Sequence, residues 1–165
     1  MEKVLVSRCL LGHKVRYDGG AHGPFDLLQR WQAEGRIVPL CPEVAGGLPT
    51  PRPPAEIPGG QGGLVLDGTQ PVLTNLGENV TAEFVAGAQI ALQLVRQYGL
   101  RVAVLKARSP SCGNQQTYDG SFSATLVAGE GVTAALLRRA GVKVFNEHQL
   151  AEAAAELQQL EQLDG

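Results

Sequence analysis

The chain of 165 residues is long enough for one compact domain with a substantial core, and no apolar run approaches the length of a membrane span. Its formal net charge of −2 lacks the basic footprint of a typical nucleic-acid binder, so a small molecule is the expected partner. Met1-Glu2-Lys3 enters a strand-like run with no long apolar leader, which predicts a soluble, cytoplasmic protein whose three cysteines are free thiols rather than a disulfide and a spare.

Residues 3–7 read as a first buried strand, followed by a turn-rich stretch from Gly12 to Pro24. Phe25, Leu27, Leu28 and Trp31 have near-helical spacing, which predicts a short helix over 25–34 that Gly35 stops. A second strand is expected over 36–40. Residues 46–63 then carry Gly46-Gly47, Pro49, Pro51, Pro53-Pro54, Pro58 and four further glycines. That density predicts a long ordered loop or lid without regular structure, bordering the site. Leu64-Val65-Leu66 and Val72-Leu73 flank Asp67-Gly68-Thr69, the pattern of a β-hairpin or an excursion from the main sheet.

The strongest helix is expected over 81–98, with an apolar stripe through Phe84-Val85, Ala88, Ala91-Leu92 and Val95 and a stop at Gly99. Residues 101–106 read as a third strand, 133–139 as a short helix ended by Gly141, 142–145 as a fourth strand and 147–163 as a closing amphipathic helix. Strands alternating with helices imply an α/β fold. We expect a single domain over 1–165, a mainly parallel, Rossmann-like sheet with helices on both faces.

Each cysteine follows one of the predicted strands. Val4-Leu5-Val6-Ser7 leads to Cys9, Ile37-Val38-Pro39-Leu40 to Cys41, and Val102-Ala103-Val104-Leu105 to Cys112. Loops at the carboxyl ends of parallel strands form the crevice where ligands bind, so the three thiols are expected to converge on one face of the sheet. Taken singly, a free cysteine is more often a small buried hydrophobe. Three sharing one kind of position point instead to a three-thiolate metal or iron–sulfur site.

The flanking residues fit chemistry. Glu43, two positions from Cys41, suits a proton shuttle or a group that orients water, against the alternative of an ordinary helix-start acid. Ser109 and Ser111 flank Cys112 and have hydroxyls for a sulfur or a substrate, although serine and proline also make ordinary turns. Gly113 would let the backbone approach a cluster closely. Arg8, Arg16, Arg52, Lys106 and Arg108 would balance a negative cluster or attract an anionic substrate. Tyr17-Asp18-Gly19-Gly20 is a turn that could line the site, and His13 or His22 could supply a fourth zinc ligand. The chain has no P-loop, no Gly-x-Gly-x-x-Gly after the first strand and no Cys-x-x-Cys, which removes nucleotide hydrolysis, dinucleotide oxidoreduction and thioredoxin chemistry.

Five segments together resemble a known family. They are Val6-Ser7-Arg8-Cys9-Leu10-Leu11-Gly12, Arg16-Tyr17-Asp18-Gly19, Cys41-Pro42-Glu43-Val44-Ala45-Gly46-Gly47-Leu48, Pro49-Thr50-Pro51-Arg52, and Leu105-Lys106-Ala107-Arg108-Ser109-Pro110-Ser111-Cys112-Gly113. They are similar to the signatures of the thiouracil desulfidases, over residues 3 to about 147. The resemblance implies a [4Fe–4S] cluster held by Cys9, Cys41 and Cys112 with one iron left open. It implies that Glu43 is catalytic and that the catalytic serine is Ser109 or Ser111, Ser109 being favoured. A thiolated base or nucleotide would be the substrate, with Asp18, Arg52 and Arg108 as candidate binding residues. Desulfuration of 2-thiouracil to uracil with release of sulfide needs no net redox change. The rivals are a non-catalytic zinc-binding or redox-sensing protein, and a tRNA sulfur-transfer enzyme, which normally needs ATP activation and a basic RNA surface.

Overall fold

The computed structural model describes residues 1–21 and 23–164. β1 (Val4–Ser7) runs through a 3-10 turn at Arg8–Leu11 to α1 (Asp26–Ala33) and β2 (Ile37–Leu40). Four short elements follow: α2 (Pro42–Ala45), β3 (Ala55–Glu56), α3 (Gly62–Leu66) and β4 (Leu73–Thr74). The long α4 (Thr81–Tyr98) leads to β5 (Val102–Val104), a hairpin of β6 (Gln116–Tyr118) and β7 (Leu126–Ala128), α5 (Val132–Arg139), β8 (Lys143–Phe145) and α6 (Leu150–Asp164).

The expected α/β architecture is borne out. The main sheet has the order β2-β1-β5-β8, and every neighbouring pair is parallel. Its central strands are apolar on both sides because both sides are covered. Val4, Val6, Val102 and Val104 pack with Leu28 and Trp31 of α1 and Ala153 and Leu157 of α6. Leu5, Ala103 and Leu105 pack with Ala91 and Val95 of α4 and Ala134 and Leu137 of α5. Pro39 stands opposite Val6 in β2, an edge strand, where a missing N–H costs no ladder bond on the open side. α4 starts and stops where its sequence pattern says, with Gly99 in the left-handed conformation that ends it.

The chain leaves β1 toward β2 on one side, then crosses to β5 on the other. That reversal opens a crevice at the carboxyl ends of β1 and β5, the usual ligand position in such sheets. Among the described residues no helix is long and apolar enough to cross a membrane.

Two expectations are corrected. Leu64–Leu66 is no hairpin strand: it belongs to α3, and β4 pairs antiparallel with β3 instead. A three-residue apolar run cannot by itself distinguish a strand from a buried helical turn, and Val65 buries against Phe84 and Ala88 of α4. Residues 46–63 are also less irregular than their composition suggests, since they contain β3, a 3-10 turn at Pro58–Gly60 and the start of α3.

Candidate active site

A cavity of about 540 Å³ lies over the carboxyl edge of the sheet, and Cys9, Cys41 and Cys112 all line it. The thiols are not on one face, as the strand-end pattern suggested. Cys9 and Cys41 pack into the α1/α6 layer and Cys112 into the α4/α5 layer, so they meet across the edge of the sheet. Strand ends border both layers at once, and the loop after β5 contributes Lys106 to Cys112 to the same lining.

Burial pushes the Cys9 thiol up to about 12, reinforced by the negative charge that Cys112 and Cys41 would carry, against the pull of Lys106 and Arg16. Cys112 is raised to about 11, again mainly by burial, with hydrogen bonds from Ser111 and Ser7 opposing it. Both hydroxyls stand 3.5 Å from Cys112 Sγ. Three thiols, two buried and one half-buried, that would repel one another as anions, one already furnished with two donors, form a donor set suited to a group that brings positive charge. The residues present therefore fit an iron–sulfur cluster. Among the described residues no three His, Cys, Asp or Glu side chains converge tightly enough for one metal ion. A single zinc would need every sulfur within about 2.3 Å of it, whereas a four-iron cluster takes each thiolate on a different iron. His13 is not a lining residue; its Nδ1 accepts from Arg8 Nε at 3.0 Å. His22 lies outside the described residues.

Glu43 sits in the first turn of α2, started by Pro42 immediately after β2. That turn is pressed on α4 backbone to backbone. A Cβ on Gly87 would come within 2.0 Å of Pro42 O, and one on Gly46 within 1.9 Å of Glu83 O, so only glycine permits the approach. Glu43 Oε1 accepts from Arg52 Nε at 3.1 Å, and Glu43 Oε2 accepts from Ser111 Oγ at 2.8 Å. The carboxylate is thus held at one oxygen and aimed at a hydroxyl with the other.

The two serine hydroxyls lie 3.3 Å apart, within hydrogen-bond reach of each other, but differ in their other partners. Ser109 Oγ accepts from the Cys112 backbone N–H at 2.7 Å and shapes the loop, while Ser111 Oγ contacts both Glu43 and the sulfur of Cys112. Gly113 does not bring backbone toward a cluster. Its close approach is to the carbonyls of Gln116 and Ser109, where a Cβ would stand at 2.8 and 3.0 Å.

Arg52 lines the cavity, but its donors are engaged: Glu43, Pro49 O, Thr50 Oγ1 and Val15 O take them. Its guanidinium orients Glu43 rather than standing open to a substrate. Asp18 is outside the lining; it accepts from Gly20 N at 2.8 Å and pairs loosely with Arg16. Its short acidic side chain closes its own turn, an ordinary role for aspartate. Arg108 is exposed, lines the cavity and has φ +71, outside the usual range of a non-glycine residue. Lys106 lines it too, paired with Glu147 at 2.8 Å.

Ser7 stands in the first of the five signature segments, where the resemblance gives it no role. It is buried at the end of β1, donates to Cys112 Sγ and accepts from Lys106 N at 3.0 Å. The cavity wall formed by Glu56, Tyr118, Phe122 and Ala124 escapes a motif search. Its one legible sign is Asp119-Gly120 after a strand-like 116–118, a turn pair that marks hairpins.

Comparison with known proteins agrees with this geometry. The family described as 2-thiouracil desulfurase matches residues 4–149. The chain is 43% identical over 147 residues to an uncharacterized protein, YbbK, of Bacillus subtilis (strain 168), covering 89% of this chain and 97% of that one. A solved structure of a [4Fe–4S]-dependent thiouracil desulfidase, TudS, superposes with a TM-score of 0.88 at 51% identity, covering 96% of this chain and 99% of the other.

Proposed function

The chain belongs to the 2-thiouracil desulfurase family, and from that premise we propose that it is a [4Fe–4S]-dependent desulfidase with Cys9, Cys41 and Cys112 as cluster ligands and Glu43 and Ser111 as its proton-handling pair. The observation that carries this reading is the 2.8 Å contact of Ser111 Oγ with Glu43 Oε2, beside a thiol set that fits a cluster.

The reaction exchanges sulfur for oxygen: a thiocarbonyl and water become a carbonyl and hydrogen sulfide, with no change in oxidation state. When bound, the cluster supplies an iron without a cysteine ligand, a Lewis acid matched to soft thiocarbonyl sulfur. Glu43 takes the proton of the attacking water, directly or through the Ser111 hydroxyl, and returns it to the departing sulfur. Arg52 keeps the carboxylate aligned through Oε1. Ser109 holds the Cys112 loop in shape, which moves the catalytic hydroxyl to Ser111 from the Ser109 that the family resemblance favoured. Arg108 is an exposed cation at the cavity that suits the phosphate of a thiolated nucleotide, and the segment 46–63 forms part of the wall through Arg52, Pro54, Ala55 and Glu56. Three free thiols suit a reducing compartment, so we assign the enzyme to the cytoplasm, acting on a small molecule rather than a nucleic acid.

After anaerobic reconstitution the protein should carry about four iron and four sulfide per chain, and should convert 2-thiouracil to uracil and sulfide without ATP or reductant. Loaded protein that leaves thiouracil, its nucleoside and its nucleotide untouched overturns the reading. Cys9→Ala, Cys41→Ala and Cys112→Ala should each lose cluster and activity together.

A further inference from the structure

Phe122 is an exposed aromatic side chain, 37% accessible, at the wall of the cavity. It lies between β6 and β7 with φ +56, and Ala124 beside it has φ +60. A bulky residue rarely adopts this left-handed conformation, and it persists only where its surroundings impose it, most often at a functional site.

The surroundings here are specific. Glu56 Oε1, from β3, accepts from Gly120 N at 2.9 Å and from Phe122 N at 3.2 Å. Gly120 lies so close to Pro58 that a Cβ on it would stand 2.7 Å from Pro58 Cα, and Gly59 N donates to Asp119 O at 2.9 Å. Within the tip, Ser121 and Ser123 share a hydrogen bond, as do Ser123 and Thr125, and Ser121 donates to Asp119. A hydrophobic ring is thereby held toward solvent and cavity instead of folding into the core. The part of the ring left uncovered is a surface that a flat apolar partner in the cavity can cover.

We propose that Phe122 is the stacking face for the pyrimidine ring of the substrate, and that Glu56 is the positioning residue that holds it there. The inference rests on the desulfidase reading for the identity of the ring. The proposed division of labour is that sulfur and water are handled at the floor, by the thiols, Glu43 and Ser111, while the rest of the ring is gripped at the wall by a group that does not sense its substituents.

The test uses cluster-loaded protein, with uracil as a non-reacting probe for binding by calorimetry and 2-thiouracil for kinetics. Phe122→Ala and Phe122→Leu should both weaken uracil binding and raise KM by about tenfold, while Phe122→Tyr stays within about threefold, because stacking needs a π-face and not merely bulk. The kcat and cluster absorbance should change little. Glu56→Ala should reproduce part of the KM effect and Glu56→Gln, which keeps an acceptor for both N–H groups, should restore it. Wild-type binding and KM in Phe122→Leu overturn the stacking role; equal effects of Leu and Tyr reduce Phe122 to packing and overturn it as well. Wild-type protein that binds uracil but leaves 2-thiouracil unchanged overturns the reaction while the stacking series stands, and wild type that binds no pyrimidine overturns both.

Discussion

Two carboxylates are each paired with a cation that lines the cavity: Glu43, itself a lining residue, with Arg52, and Glu147, outside the lining, with Lys106. Glu43, in the first turn of α2, accepts from Arg52 Nε at Oε1 and from the Ser111 hydroxyl at Oε2. Glu147, between β8 and α6, accepts from Ala107 N at Oε1, 2.7 Å away, and pairs through Oε2 with Lys106 Nζ at 2.8 Å. Each is largely buried, and either would pass as a catalytic acid on burial and pairing alone. The difference is what the second oxygen touches. For Glu147 both oxygens are consumed by the scaffold, so the residue ties the loop after β5 to the start of α6. For Glu43 only one is consumed, and the other faces a group that can carry a proton. A paired acid beside a cavity is therefore an active-site candidate only if its partners leave it an oxygen aimed at chemistry.

The sharpest way to break this comparison is to neutralise each acid in turn. Glu43→Gln should lower turnover by about 100-fold or more, the scale of a lost proton-transfer group, while the visible absorbance of the cluster is retained. Turnover within a few-fold of wild type would remove Glu43 from the mechanism. The two serines come next. Ser111→Ala should cost about 10- to 100-fold in turnover at unchanged cluster content, because it removes the hydroxyl that Glu43 addresses. Ser109→Ala should instead loosen the loop, leaving the Cys112 N–H without its acceptor, and show as reduced cluster retention with a smaller loss of rate per cluster. A reversed order, with the larger rate loss at Ser109, would return the catalytic hydroxyl to that residue.

Glu147 should answer in a different currency. Glu147→Ala takes the ion-pair partner from Lys106, which keeps its bond to Ala107 O, and the acceptor from the Ala107 N–H, and should lower unfolding stability by about 2 kcal/mol, read as a shift of the denaturant midpoint, with turnover within about threefold. A loss of rate as large as that of Glu43→Gln, at intact stability, would erase the distinction. The smallest effect is its pH dependence. Burial alone would raise the Glu147 carboxyl, but hydrogen bonds from Lys106 and Ala107 N outweigh it and hold the group below the ordinary value of 4.5. A carboxyl lowered on folding binds its proton less readily in the native state than in the unfolded one. Its stabilisation is thus complete above about pH 4.5 and is lost as the pH falls through the native value. The gap in stability between wild type and Glu147→Gln should be widest at neutral pH and should close in acid. A gap unchanged down to pH 3 would show that the ion pair contributes little.

The amino-acid sequence by itself determined the layered α/β plan, because that plan is written in local patterns. Apolar runs such as Val4-Leu5-Val6 specify strands buried on both sides, and the stripe from Phe84 to Val95 ending at Gly99 specifies α4 almost residue for residue. It also placed the three cysteines and Glu43 near one centre, since strand ends of a parallel sheet share an edge. Short elements were beyond it. Leu64–Leu66 became a turn of α3 through burial against α4, and no property of three residues announces that. Tertiary structure alone decided the partners. Whether Ser109 or Ser111 faces Glu43 depends on how the Cys112 loop coils, a matter of two residues in one turn. Arg52 reads as a free cation until the chain between Pro49 and Arg52 folds its guanidinium onto Glu43, and Ser7 acquires its sulfur contact from a residue 105 positions away. Local periodicity reports which face of an element is apolar; which polar atom meets which is set by long-range packing, where a shift of one ångström makes or breaks a hydrogen bond.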